Sequence, residues 1–375
     1  MRRVSAFAIV VALALAGQVL AQQASLTDLR DKSPITTEDR QKIAAWLSGQ
    51  MKRLVTPTGS DPSAMVSARE AILSEGRRDP AFSKDFTQAF GEEAIAALTT
   101  AEKQSLSADA RLNVVMAVAG LGRTDGIGLL QKVLTGDPYP ATRYWAAKGL
   151  SDAAAAIRAE GLIRAEQEVA RSIGAGLQNE SDPMTLFYLF NTLGQFDHEE
   201  AHDVLAQGVT KMAVLVDGSD AAGTLALGEM IKAVEKAYTS DGRAEAKTRL
   251  LSAYAALCGA ITPPLSDPML MAALNASLEK ITGESVGFKA TDKPEMQKLA
   301  LLEWVERLVR TKKIPARPAL PPAVDRAVKE AMGIAPEPEP TPKKPPAKAP
   351  EKAPAKVPQE AAAPAAEGGP APAAK

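Results

Sequence analysis

The feature that most restricts the fold is a repeated alternation of amphipathic helical segments with short breaks rich in Gly, Pro, Asp and Ser. Apolar side chains recur at helical spacing over Ala110–Leu121 and again over Ile127–Leu134. Gly122–Gly126 separates these two segments, and Gly136–Pro140 contains two prolines, which cannot continue a helix. The pattern predicts a chain of helical hairpins.

The same rhythm continues along the rest of the chain. It predicts helices over Ala141–Leu150, Ala165–Leu177, Met184–Leu193, His198–Val216, Ala221–Tyr238, Ala244–Ile261, Met269–Ile281, Glu295–Thr311 and Pro322–Met332. The composition is 46% hydrophobic but only 4% aromatic, and alanine and leucine dominate, which favours helices over strands. We therefore predict an all-α fold.

Asp-Pro pairs recur between the predicted helices, at Asp61-Pro62, Asp79-Pro80, Asp137-Pro138, Asp182-Pro183 and Asp267-Pro268. Aspartate suits the N-cap of a helix and proline suits its first position, so these pairs are predicted to mark helix starts. Arg111 and Arg143 hold corresponding places 32 residues apart, and later units are longer. A variable period of this size is typical of helical-pair repeats.

One segment carries a specific resemblance. Asp137–Leu150 reads Asp-Pro-Tyr-Pro-Ala-Thr-Arg-Tyr-Trp-Ala-Ala-Lys-Gly-Leu. It resembles the first helix of a HEAT-like repeat of the phycobilisome-lyase type, although Thr142 stands where that family has an aliphatic residue. Ala108–Leu121 is similar in a looser way, and Ser67–Leu73 is a third candidate. The resemblance implies an α-α superhelix, a HEAT-like solenoid of antiparallel helix pairs. An irregular helical domain without a true repeat is the alternative.

The N-terminal residues have the pattern of a secretory signal peptide over residues 1–21. Arg2 and Arg3 are followed by an apolar run over Ala6–Leu20, and the small residue Ala21 suits a cleavage site. The run is short for a bilayer span of about 20 residues. A retained signal anchor is the alternative. We predict a secreted or periplasmic protein, with no transmembrane span after cleavage.

The C-terminal residues differ in composition from the rest. After a linker over residues 22–35 and a repeat body over residues 36–332, we predict a disordered tail over residues 333–375. Ala335–Lys375 contains 12 Pro and 13 Ala, and its six Lys nearly balance its five Glu. Such a segment buries too little apolar surface to offset the entropy of ordering it. It is interpreted as an envelope-contacting spacer or as a solvated tail without a ligand.

The motif His-Glu-Glu-Ala-His at His198–His202 matches the H-E-x-x-H pattern of zinc peptidases and contains both histidines of the chain. On a helix both imidazoles share one face, so they are candidate zinc ligands, with Glu229 as third ligand and Glu199 as base. That set would resemble the gluzincin metallopeptidases. A zinc metallopeptidase is therefore the alternative function.

The charges around this motif favour a different interpretation. Asp197, Glu200 and Asp203 surround the histidines, and burying unpaired carboxylates beneath a cleft would cost several kcal/mol each. Acidic residues at a helix start are favoured by the helix dipole. We interpret Asp197 as an N-cap and His198 as the first residue of an ordinary helix.

The net charge and the single cysteine also bear on the functional class of the protein. The net charge is −1 and the isoelectric point is near 6.3, without the basic balance of a nucleic-acid binder. The single cysteine, Cys258, lies in an apolar helix and is interpreted as a core residue. We predict a non-enzymatic scaffold without a cofactor, which binds a protein or peptide. The aromatic-rich turn of Tyr139, Arg143, Tyr144 and Trp145 is the predicted binding site, since tyrosine and tryptophan often anchor partners. Packing between hairpins is the alternative role of these aromatic residues.

Overall fold

The computed structural model describes residues 25–56, 63–77, 79–212, 215, 221–261, 267–289 and 291–316. All of these belong to the compact unit Met1–Asp325, and the chain has a second unit, Arg326–Lys375. The predicted signal peptide over residues 1–21, the predicted helix Pro322–Met332 and the predicted tail over residues 333–375 lie outside the described residues.

The predicted all-α fold is confirmed, because the described residues form fourteen α-helices and no strand. The helices are α1 Thr27–Arg30, α2 Thr37–Val55, α3 Ser63–Gly76, α4 Lys84–Glu102, α5 Ala108–Leu121, α6 Ile127–Gly136, α7 Pro140–Ala159, α8 Ile163–Leu177, α9 Pro183–Gln195, α10 Glu199–Met212, α11 Ala221–Ser240, α12 Ala244–Ala260, α13 Pro268–Thr282 and α14 Pro294–Arg310. A short 3-10 turn, Thr124–Gly126, precedes α6. Helix α7 continues past the predicted end at Leu150, because Ala153, Ala154 and Ile157 extend its buried face.

Two of the Asp-Pro pairs start helices as predicted. The carboxylate of Asp182 accepts the N–H of Thr185 at 2.7 Å, and Pro183 is the first residue of α9. Asp267 likewise accepts the N–H of Met269 at 2.8 Å at the start of α13. Each aspartate satisfies a backbone donor that the helix itself leaves unpaired.

The prediction is wrong at Asp79 and Asp137, and the pair at residues 61 and 62 lies outside the described residues. Helix α4 begins five residues after Asp79, where the hydroxyl of Ser83 accepts the N–H of Phe86. Helix α7 begins at Pro140, the second proline of its turn. Asp137 instead remains outside the helix, and its carboxylate accepts the N–H of Tyr139 at 2.9 Å. A following proline alone therefore does not distinguish a cap from a turn.

The helices pack in neighbouring pairs that build two layers. One layer contains α3, α5, α7, α9, α11 and α13, each in contact with the next. The other contains α2, α4, α6, α8, α10, α12 and α14, with the 3-10 turn joining α4 to α6. We call these the odd and the even layer. The arrangement is compatible with the predicted α-α superhelix.

Helices of one layer run in the same direction. Tyr144 near the start of α7 contacts Tyr188 near the start of α9, and Ser151 further along α7 bonds to Asn191 further along α9. The start of each odd-layer helix therefore lies beside the start of the next one. This geometry brings together side chains that are about 40 residues apart in the sequence.

The packed body begins before the residue predicted from sequence. Leu26 and Leu29 in the predicted linker are buried in the core, and Arg30 of α1 forms an ion pair with Glu75 at the end of α3. Part of the segment 22–35 therefore belongs to the folded body. A short amphipathic turn with only two buried leucines gives too weak a periodic signal to be recognised.

Cys258 is fully buried in α12, which confirms it as a core residue, and burial raises the pKa of its thiol. The hydroxyl of Tyr254, one turn earlier, bonds to the hydroxyl of Ser277 at 2.5 Å.

Among the described residues, no helix is both long enough and apolar enough to cross a membrane.

Candidate functional site

The predicted aromatic site lies in the first two turns of α7. Tyr144 and Trp145 are the fifth and sixth residues of this helix, and their ring centroids are 5.6 Å apart in an edge-to-face arrangement. Both rings are half-buried, with one part against the core and one part in solvent. Tyr139, directly before the helix, is 48% exposed.

The structure adds three residues that the sequence did not single out. Tyr188 of α9 packs edge-to-face on Tyr144 at 5.5 Å, and Phe187 packs on Tyr188 at 5.1 Å. The ammonium of Lys148 lies 5.8 Å from the ring centroid of Tyr188 and 6.0 Å from that of Trp145. We call these five residues, Tyr144, Trp145, Lys148, Phe187 and Tyr188, the aromatic surface.

The position of Tyr188 in its helix is a signal that could have indicated its place beside Tyr144. Tyr144 is the fifth residue of α7 and Tyr188 is the sixth residue of α9. Residues at equal depth in alternate helices become neighbours only when the helices stack as parallel layers. Burial is the main reason that the pKa of the Tyr144 hydroxyl is raised, and its hydrogen bond with Tyr188 is the second reason.

The guanidinium of Arg143 binds groups of the protein itself. Its Nε donates to Glu180 at 2.8 Å, and its Nη1 donates to the carbonyls of Asp137 and Pro138 at 3.1 and 3.2 Å. Arg143 therefore fixes the turn that carries Tyr139 rather than offering a free cation to a partner.

The Arg143–Glu180 pair is one of three equivalent contacts among the described residues. In each, the fourth residue of a helix binds a carboxylate that stands three residues before the next helix of the same layer. The pairs are Arg111–Asp137 at 3.2 Å, Arg143–Glu180 at 2.8 Å and His202–Asp241 at 2.8 Å. Each carboxylate also accepts the backbone N–H two residues further on. We call this contact the interhelix clamp.

The clamp carboxylates are buried. The side chains of Asp137, Glu180 and Asp241 are only 2–4% exposed. Burial opposes ionisation of Glu180, but Arg143 and the N–H groups of Asp182 and Ser181 together outweigh it and lower its pKa. The hydrogen bond from Arg243 is the main reason that the pKa of Asp241 lies well below its ordinary value.

The clamp accounts for one histidine of the predicted zinc motif. His202 is the fourth residue of α10, and it bonds through Nδ1 to Asp241. The imidazole therefore occupies the place that Arg111 and Arg143 hold in the odd layer. Since Asp241 also accepts bonds from Arg243, it is an acceptor, and the Nδ1 of His202 carries the proton.

His198 lies before the helix, so the predicted N-cap at Asp197 is wrong. The Nδ1 of His198 accepts the N–H of Ala201 at 3.3 Å, and α10 begins at Glu199. The ring stacks on Phe196 with centroids 5.8 Å apart. Because Nδ1 accepts, the neutral imidazole carries its proton on Nε2, the atom through which it would have to bind a metal.

The remaining residues of the alternative zinc site lie elsewhere. Glu229 is on α11 in the odd layer, where it accepts a hydrogen bond from Asn191 at 2.8 Å and lies 3.4 Å from Lys232. Glu199 is exposed and pairs with Arg243. Within the described part of the chain, no group of three or more His, Cys, Asp or Glu side chains is placed to hold a metal ion. The predicted ligands thus do not form one site.

Comparison with known proteins gives no further indication of the function. Neither the known protein-family models nor the curated proteins contain a match to this chain. The site is therefore interpreted from its own geometry.

The burial of His198 predicts that the stability of the protein depends on pH. Burial lowers its pKa from the ordinary value of 6.5, while Glu166, 3.8 Å away, acts in the opposite direction. The unfolded chain therefore binds more protons than the folded one just below pH 6.5, and stability is expected to fall as the pH drops through that value. In His198→Asn, the side-chain oxygen still caps Ala201 but does not titrate. Urea unfolding between pH 5 and 8 should show the wild type losing stability relative to the variant as the pH falls, whereas parallel stability curves would contradict this role.

Proposed function

We propose that this chain is a non-enzymatic protein-binding scaffold built from HEAT-like repeats. The single observation that carries the proposal is the aromatic surface. Two tyrosines, a tryptophan and a phenylalanine from neighbouring odd-layer helices stand half-exposed around one lysine. Rigid aromatic side chains bury large area at low entropic cost, and for this reason they are frequent anchors at interfaces.

The layered architecture supports this proposal. Stacked helical hairpins form a surface to which each unit adds a few residues, and repeat proteins use such surfaces to bind other proteins. The interhelix clamp supports a true repeat, because a donor at the fourth helix position and a carboxylate three residues before the next helix of the layer recur in two odd-layer contacts and one even-layer contact. The assignment to HEAT-like repeats is part of the proposal, and it rests on the resemblance over Ala108–Asp152.

The place of action is proposed from the ends of the sequence. The signal-like residues 1–21 favour export to the periplasm or secretion. The Pro/Ala-rich residues 333–375 suit a spacer that contacts the cell envelope. The scaffold would then bind a protein or peptide outside the cytoplasm.

Capture of partners from the native cell envelope tests this function. The wild-type chain is expected to retain specific proteins, and Tyr144→Ala combined with Tyr188→Ala should reduce their amount about tenfold, as for interface hot spots. Leu225→Ala is the matched control, because Leu225 is a 52% exposed apolar residue of the same layer outside the aromatic surface. Equal capture by both variants would contradict the site. Stoichiometric zinc with chelator-sensitive proteolysis would instead support the peptidase alternative.

A further inference from the structure

A second candidate site lies away from the aromatic surface, at the start of α4. A cavity of about 560 Å³ opens there. Its volume falls in the range of small-molecule sites, which is roughly 300–1,000 Å³. Its lining includes Asp79, Pro80, Phe82, Lys84, Thr87 and Arg123. Phe82 packs partly against the core, whereas Lys84 of the lining is exposed.

One wall of the cavity is held by Arg123. Its side chain lies across α4 at Gly91, where a β-carbon would come within 2.6 Å of the arginine Cδ. The absence of a side chain at Gly91 therefore lets the guanidinium lie flat on the helix. Asp125 holds it there, accepting from Nε and Nη2 at 3.0–3.3 Å. The arginine is thus fixed in position before any ligand arrives.

Lys84 gives this wall a second cation. It is the first residue of α4, where the helix dipole adds positive potential. Lys84 is exposed. Lys84 and Gly91, on which Arg123 lies, are seven residues apart and therefore share one face of α4. An incoming carboxylate would meet the ammonium of Lys84 and the guanidinium of Arg123 on that face.

The segment before α4 supplies the other part of the lining, with one carboxylate and an aromatic ring. Asp79 accepts the N–H of Ala81 at 2.9 Å through Oδ1, which fixes the orientation of its carboxylate. The Phe82 ring is held from behind by the guanidinium of Arg30, 5.1 Å from the ring centroid. Pro80 and Phe82 supply the apolar part of the lining.

We propose that this cavity binds a free α-amino acid with an apolar side chain. The ligand's ammonium faces Asp79, its carboxylate faces Lys84 and Arg123, and its side chain packs on Phe82. A purely anionic ligand would meet the Asp79 carboxylate, and a purely cationic one would meet two cations. A zwitterion matches both walls, because each of its charges finds a partner of opposite sign.

Titration calorimetry with three matched probes tests the proposal on the full chain. L-phenylalanine carries both charges, phenethylamine lacks the carboxylate, and 3-phenylpropionate lacks the ammonium. L-phenylalanine is expected to bind saturably and at least about tenfold more tightly than either half-ligand, since each half-ligand leaves charged groups of one wall unpaired. Equal affinity for all three probes, or no saturation by L-phenylalanine at millimolar concentration, would overturn the proposal.

Variants locate the binding. Lys84→Gln should weaken L-phenylalanine binding about tenfold and leave phenethylamine binding unchanged, because only the carboxylate contact is lost. Asp79→Asn should weaken L-phenylalanine and leave 3-phenylpropionate unchanged. Lys103→Gln, which changes an exposed lysine at the other end of α4, is the matched control. Circular dichroism verifies that each variant is folded. If Lys103→Gln weakens binding as much as Lys84→Gln, the site is not this cavity.

Discussion

Gly149→Ala is expected to lower the free energy of unfolding by about 1–3 kcal/mol, although alanine is the better helix former. Gly149 lies in α7 where this helix crosses α5. A β-carbon there would lie 2.7 Å from the Cβ of Ala119, 2.9 Å from its Cα and 2.9 Å from a methyl group of Leu130. Since the Cα of Ala119 belongs to the backbone, no rotamer change can relieve the clash, and α5 and α7 must separate.

Gly128→Ala is the matched control and should have the opposite sign. Gly128 lies in α6 on the exposed side, and a β-carbon there meets no atom within 4 Å. The same chemical change should therefore raise stability by about 0.5–1 kcal/mol through helix propensity alone. Urea unfolding followed by circular dichroism measures both variants. Hydrogen exchange should show faster exchange in α5 and α7 of Gly149→Ala, and two shifts of the same sign would disprove the close approach.

Arg143→Met is expected to cost about 3 kcal/mol, the larger share of it from the charge left behind. The Glu180 side chain is 2% exposed and depends on Arg143 for its counter-charge. Removing one partner of a buried pair leaves an uncompensated charge, which is far more costly than removing both. The turn before α7 also loses the two hydrogen bonds from Arg143 to the carbonyls of Asp137 and Pro138.

The double variant Arg143→Met with Glu180→Met separates these effects. With both charges gone, much of the cost should return, and the remainder reports on the turn. Thermal unfolding of the wild type, both single variants and the double variant completes the cycle. The stability of the wild type relative to the double variant should also fall at low pH, where Glu180 is protonated and its contribution is lost. Additive costs in the two single variants would show that the clamp is not a coupled pair.

Local patterns in the sequence determine most of the helices. The alternation of helix breaks with apolar helix faces predicts the ends of α5, α6, α8, α9 and α11 to α14 to within a few residues. These elements depend on periodicity and on capping, which act over three or four residues. The errors at Asp79 and Asp137 arise because an aspartate that accepts a nearby N–H is equally suited to a turn.

The candidate site was only partly accessible to the same reasoning. Tyr139, Tyr144 and Trp145 are visible as an aromatic group within seven residues of sequence. Their neighbours Tyr188 and Phe187 come from the helix after next, and their place depends on how far α7 and α8 extend before the chain returns. A shift of one residue in either helix would rotate a different side chain into that position, by about 100° for each residue.

By itself, the sequence determined that this chain is helical, where most helices begin and end, and that its cysteine is a core residue. The tertiary structure alone decided which charges pair. Arg143 meets Glu180 across 37 residues, and His202 meets Asp241 across 39. A helix is stabilised by contacts within one or two turns, which a sequence pattern records directly. A clamp joins the start of one helix to the turn before the next helix of its layer, and only the stacked layers bring those two points together.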